Sequence, residues 1–198
     1  LVWMDEGMVA GRLDGRDEVV VFDTETTGTS REDRVVSLGM VRLSSDLELI
    51  DSLHLVFNPG RPSHTMAQAV HGLSDAYLRR QDPFERHAEN ILSFSRGAAL
   101  VAHNLSFDWR MMGQEFGRLG AGGFDTAARR FCTVRGWKAR HPGKRGKLDL
   151  VLAEIGLCRD GQIHGAYEDA VLAAQVLRHL HDRPCFGPVH LIPPSNER

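Results

Sequence analysis

The stretch "VVFDTETTG", Val20 to Gly28, runs from three apolar residues into two carboxylates separated by one threonine. Residues Glu18 to Asp23 read as a strand that is apolar on both faces, the mark of a central place in a sheet. Alternation along that strand sends Asp23 and Glu25 to one side and Thr24 to the other. Two carboxylates held side by side repel unless they share a proton or a cation. A hard divalent ion such as Mg²⁺ or Mn²⁺ prefers oxygen ligands and removes the repulsion. Alone, however, Asp-x-Glu at a strand end more often marks a solvated turn.

The bulk numbers narrow the setting. A chain of 198 residues suits one domain with a sizeable core. With 24 basic against 26 acidic residues, a broad basic surface for coating long duplex DNA is excluded, although a grip on a single nucleic-acid end is not. No apolar run reaches the length of a membrane helix, and the first residues show no basic-then-apolar signal. Cys132, Cys158 and Cys185 are widely spaced and form no Cys-x-x-Cys pair, which predicts free thiols and a cytoplasmic setting.

Outward from the opening stretch, residues 1–17 read as a loose lead-in, 18–182 as the folded domain and 183–198 as an irregular, proline-containing tail. Strands are expected at Val35 to Leu43 and Glu48 to Phe57, joined as a hairpin through Ser44, Ser45 and Asp46. Pro83 predicts a helix through Ser95, Ala98 to Ala102 a buried strand, and Ser106 the cap of a helix to Leu119. A weak strand at Phe131 to Val134 precedes helices at Leu148 to Ile155 and Tyr167 to Leu180. This order predicts an α/β domain of three layers, a mixed five-stranded sheet flanked by helices.

Two further segments carry acids. In "LVAHNLSFDW" a short buried strand leads to Asp108 in a first helical turn, where an acid also simply complements the helix dipole. In "HGAYEDAVLAAQVL" Asp169 stands on an alanine-rich packing face, where it wants either a basic partner or a metal. His164 lies five positions earlier and would point roughly 140° away on one continuous helix. The two converge if His164 sits on the loop leading in, which Gly165 permits.

The segments "FDTETTG", "HNLSFD" and "HGAYEDA" resemble, in order, the three motifs of the DnaQ-like (DEDDh) 3′–5′ exonuclease superfamily. That superfamily includes the proofreading epsilon subunit of bacterial DNA polymerase III and ribonuclease T. The similarity runs from about Glu18 to Leu180. The resemblance implies a ribonuclease H-like fold and hydrolysis of DNA, at single-stranded or frayed 3′ ends, to nucleoside 5′-monophosphates. It implies two divalent ions, Mg²⁺ or Mn²⁺, held by Asp23, Glu25, Asp108 and Asp169, with Asp23 bridging both and Asp108 acting on the second. It also implies that His164 is the general base.

Substrate contacts are expected at Thr26 and Gly28 behind the acidic pair, at His71 in "VHG", and at Asn104 and Phe107 beside Asp108. The basic stretch "RGWKARHPGKRGK", Arg135 to Lys147, is read as a guide for the phosphate backbone with Trp137 free to stack. Met66 and Ser37 stand where epsilon subunits commonly carry acids, and "CTVRGW" lacks their usual Asp-Ser/Thr pair, which leaves the mode of nucleotide binding open. The partners expected are DNA 3′ ends, more than RNA, and a polymerase or another replication or repair protein. The alternatives are an exoribonuclease of the ribonuclease T kind and a non-catalytic scaffold that binds nucleic acid.

Overall fold

The apolar run at the head of the opening stretch forms the central strand β1 (Val19–Thr26) in a computed structural model that describes residues 18–120, 124, 129–159 and 164–186. The expected lead-in, 1–17, and the end of the expected tail, 187–198, lie outside the described residues. β2 (Val35–Leu43) and β3 (Leu49–Val56) continue from β1 as an antiparallel meander. On the other side of β1, β4 (Ala99–Ala102) and β5 (Arg130–Cys132) run parallel to it, giving the order β3-β2-β1-β4-β5. The sheet is therefore mixed and five-stranded, as expected.

Among the described residues seven α-helices accompany it: α1 (Thr65–His71), α2 (Asp75–Leu78), α3 (Ala88–Ser95), α4 (Leu105–Arg118), α5 (Thr133–Arg140), α6 (Leu148–Glu154) and α7 (Ala166–Leu180). Helices α1 and α2 went unread in the sequence because their apolar signal is faint. His71 is the buried residue of the first and Leu78 of the second, while Met66 is 80% exposed. The helix expected from Pro83 splits into a 3₁₀ turn (Phe84–Arg86) and α3. The expected strand at Phe131 to Val134 stops at Cys132, and Thr133 begins α5, which takes up the first half of the basic stretch. That helix turns Trp137 inward against Val151, Leu152 and Val176, so Trp137 is unavailable for stacking on bases. None of the helices among the described residues is long and apolar enough to cross a membrane.

β1 divides the core by parity. Val20 and Phe22 face one layer, packing with Met111, Met112 and Phe116 of α4. Val19 and Val21 face the other, packing with Tyr167, Ala173, Ala174 and Leu177 of α7. Both sets are fully buried, and each full burial of such a side chain favours the fold by about 1.5–3 kcal/mol. The same period, carried past Phe22, assigns Asp23 and Glu25 to the α7 side and Thr24 to the α4 side.

One glycine lets α7 come close enough to matter. Gly39 of β2 pairs with Asp23 across the antiparallel ladder. A Cβ there would stand 2.3 Å from both the Ala166 carbonyl oxygen and Tyr167 Cα. The backbone of the first turn of α7 therefore rests directly on β2, one turn before Asp169. Backbone atoms cannot rotate aside as a side chain would, so Gly39→Ala is expected to lower stability by about 1–3 kcal/mol. It should also displace Asp169 and reduce any metal-dependent activity, measured by chemical denaturation and by nuclease assay on the still-folded protein.

Candidate active site

The end of β1 brings the sequence's acids together. One carboxylate oxygen each from Asp23, Glu25 and Asp169 lies within 4.8 Å of the others. Asp108 reaches the same strand end from the opposite layer, where Thr24 holds it twice: the backbone N–H donates to Oδ1 at 3.0 Å and the hydroxyl at 2.8 Å. Thr24, which the sequence reading placed only by its direction, is thus the residue that positions Asp108. His164 stands just outside α7, before the N-cap residue Gly165, and its Nδ1 is 3.3 Å from Asp169 Oδ2. The loop placement that convergence required is the one observed.

The electrostatics are those of crowded like charges. Burial pushes the Asp23 carboxyl well above its ordinary range, and Asp108, Asp169 and Glu25 add to the push in that order. Burial, then Asp169 and Asp108, raises Glu25 to about 8. Asp108 is raised to about 7 by burial even though the Thr24 hydrogen bonds pull it down. The other buried acids among the described residues, Asp33 and Glu115, are satisfied. Burial works to raise Asp33, but hydrogen bonds from Ser30 and Thr27, with Arg61 nearby, outweigh it and hold that carboxyl at about 2. Glu115 grips one edge of Arg34 with both oxygens, accepting from Nε at 2.8 Å and Nη2 at 2.9 Å, and also accepts the Val35 N–H. Against that background, an all-oxygen cluster in which Asp23, Glu25 and Asp108 stay raised fits a hard divalent cation.

Asp169 also has the basic partner its apolar face demanded. Arg159 donates through Nη1 to Asp169 Oδ1 and through Nε to Asp149 Oδ1 on α6, the latter at 3.1 Å. No motif marks Arg159; its only signal is the need of a lone acid on an alanine-rich helix for a counter-charge.

Beside the acids lies a cleft of about 490 Å³, lined by Thr24, Glu25, Thr26, Gly28, His64, Met66, Val70 and Phe107. Its volume suits one nucleotide. The Thr26 hydroxyl donates to the Gly28 carbonyl at 2.7 Å. Gly28 is pressed so close to Asp33 and His64 that a Cβ would lie 2.6 and 2.4 Å from their side-chain atoms. Phe107 lines the cleft and packs against the core as well. Asn104 occupies the N-cap position of α4, where Ser106 had been expected, and is exposed. His71 is buried at the end of α1, its Nδ1 accepting the Leu73 N–H at 3.0 Å, and it does not line this cleft. The histidine that does is His64, seven residues earlier, which no motif marked.

The family described as Exonuclease (RNase_T) matches the chain over residues 20–177. DNA polymerase III subunit epsilon of Escherichia coli is 31% identical over 168 residues, covering 79% of this chain and 68% of the relative. The epsilon subunit of Haemophilus influenzae is 30% identical over 168 residues, covering 79% and 64%. The chain thus spans about two thirds of the length of these relatives. Among solved structures, the nuclease domain of 3′hExo, a DEDDh family member, bound to rAMP, superposes with a TM-score of 0.72 at 16% identity, covering 84% of this chain and 93% of that one. E. coli exonuclease I in complex with a dT13 oligonucleotide superposes with a TM-score of 0.75 at 16% identity, covering 84% and 41%. The fold is the ribonuclease H-like fold of DEDDh exonucleases.

The raised acids give a pH signature with a fixed sign. A carboxyl whose folded pKa lies above its unfolded value stabilises the fold below the unfolded pKa and loses that contribution as pH rises through the folded one. With Glu25 at about 8 and Asp108 at about 7, the melting temperature in chelator should fall between about pH 5 and pH 8.5. Glu25→Gln should flatten the fall, and Mn²⁺, which selects the ionised acids, should reverse it; differential scanning calorimetry reads all three.

Proposed function

The chain belongs to the exonuclease family, and on that footing we propose that it removes nucleotides one at a time from 3′ ends, as nucleoside 5′-monophosphates, with DNA preferred to RNA. One observation carries the reading: Asp23, Glu25 and Asp169 converge within 4.8 Å while His164 Nδ1 stands 3.3 Å from Asp169 Oδ2. Asp23, Glu25 and Asp169 would hold the divalent ions, Mg²⁺ or Mn²⁺, with Asp108 behind them. Such ions, when bound, supply neutralising charge to the phosphate and to the attacking and departing oxygens.

The remaining work falls to the chain's own groups. With Nδ1–H directed at Asp169, the imidazole of His164 keeps Nε2 as the acceptor that takes a proton from the attacking water. Its side chain is 41% exposed, so the proton passes readily to solvent. General-base help of this kind is worth about 10²–10⁴ in rate. The cleft receives the terminal nucleotide, with Phe107, Met66 and Val70 offering apolar contact to the base, and the Thr26–Gly28 turn bringing backbone near the sugar and phosphate.

The preference for DNA, and a polymerase or other replication or repair protein as partner, follow the relatives, which are named as DNA polymerase subunits. A non-catalytic scaffold gains nothing from crowding Asp23 and Glu25 against Asp169 with too few donors to compensate them, since the repulsion only costs stability.

The test is a time course with Mg²⁺ or Mn²⁺ on labelled single-stranded DNA, duplex DNA and RNA. Single-stranded DNA is expected to be degraded fastest from its 3′ end. Asp23→Ala should fall to background, and His164→Ala by about 10²–10⁴, both with unchanged circular dichroism. Full activity in either variant removes the role assigned to that residue, and faster loss of RNA reassigns the substrate.

A further inference from the structure

Arg159 is buried beside the acids in an unusual way. Its side chain is 9% exposed and lies between α6 and α7, with Nη1 on Asp169 and Nε on Asp149. Asp149 is 39% exposed and belongs to neither the acidic trio nor the cleft, whereas Asp169, 10% exposed, belongs to the trio. Both oxygens of Asp169 are engaged, Oδ1 by the guanidinium and Oδ2 by His164. A cation coordinating Asp169 therefore meets a charge already in place.

An arginine cannot yield by losing its proton, as a lysine or histidine would; it yields only by moving. The structure gives it somewhere to go. Arg159 Nη2 is buried and has no hydrogen-bond partner among the described residues. Nε and Nη2 form the edge of the guanidinium that a carboxylate grips with both oxygens. Asp149 now holds only one of those two donors. A small rotation completes a two-point grip on Asp149 and frees Asp169 Oδ1. The positive charge is also felt beyond its direct contacts, since it partly offsets the upward push that burial and neighbouring acids exert on Asp23 and Glu25.

We infer that Arg159 is a positioning residue of the metal centre, a built-in counter-cation shared between Asp149 and Asp169 that competes with the incoming ion and sets how tightly the centre holds it. The inference rests on the metal-binding reading proposed above. It assigns Asp149 a matching role as the anchor that receives the guanidinium when metal takes Asp169. The two residues then act in opposite directions. Loss of Arg159 removes the competitor, and loss of Asp149 leaves Asp169 as the guanidinium's acidic partner among the described residues.

The experiment is isothermal titration of the full chain with Mn²⁺ at fixed pH, for the wild type and for Arg159→Met, Arg159→Lys and Asp149→Asn, with circular dichroism as the check on folding. Arg159→Met should bind Mn²⁺ about tenfold more tightly, Arg159→Lys close to wild type, and Asp149→Asn several-fold more weakly. A structural role alone would loosen binding in Arg159→Met or leave it unchanged, and either result overturns the inference. If Arg159→Met does not fold, unchanged Mn²⁺ affinity in Asp149→Asn overturns it instead. A wild type that binds no Mn²⁺ sinks the metal reading and this one together, whereas wild-type binding with indifferent variants sinks only this one. Unchanged Mn²⁺ affinity with weakened binding of a nucleoside 5′-monophosphate would move Arg159 to the substrate and also overturn the inference.

Discussion

Repulsion among carboxylates governs this molecule's architecture. Asp23, Glu25 and Asp169 are pressed together at the end of a strand, with Asp108 behind. Such crowding persists only where the surrounding structure over-determines it. Here the over-determination has two sources. β1 is buried on both faces, so a one-residue slip would exchange its two apolar sets between the layers and carry the acids to the α4 side. Gly39 then lets the backbone of α7 settle on β2 opposite Asp23, which fixes how near Asp169 must stand.

The buried acids of the molecule fall into two kinds by their company. Asp33 and Glu115 are saturated with donors, and they lock the β1–β2 connection and the start of β2 to α4. Asp23, Glu25 and Asp108 are raised because burial and neighbouring charge act on them with too few donors to compensate. Uncompensated acids beside a nucleotide-sized cleft are a functional signature, while compensated ones are a structural one. Arg159 stands between the two kinds: it gives Asp169 part of what Glu115 receives from Arg34, but it divides itself with Asp149.

Much of this was legible in the sequence because the signals were periodic or chemical. The apolar run before Asp23 announced a central strand, and α7 was expected from Tyr167 and begins at Ala166. The acids were readable because a charge among alanines, or two charges two apart on a strand, has few explanations. Other elements were hidden where burial is sparse. Helix α1 exposes Met66 and Val70, so its periodicity points away from the core. Helix α5 begins in β-branched Thr133 and Val134, whose propensity favours a strand, and only its tertiary packing through Trp137 makes it a helix. His64 and Arg159 carry no local pattern at all; their places depend on Asp33 and Asp169, residues brought near only by folding.

The parity of β1 has a consequence for how such a site can change over time. Odd positions deliver Asp23 and Glu25 to one layer while the even position, Thr24, serves Asp108 in the other. Point replacements at the strand's end leave this division intact, so ligands, pocket walls and counter-charges can drift one at a time. Deleting or inserting a single residue between Val19 and Asp23 exchanges the layers in one event, handing the acids to α4 and the threonine to α7. Descendants of this chain are therefore free to vary in letters along that segment but not in its length.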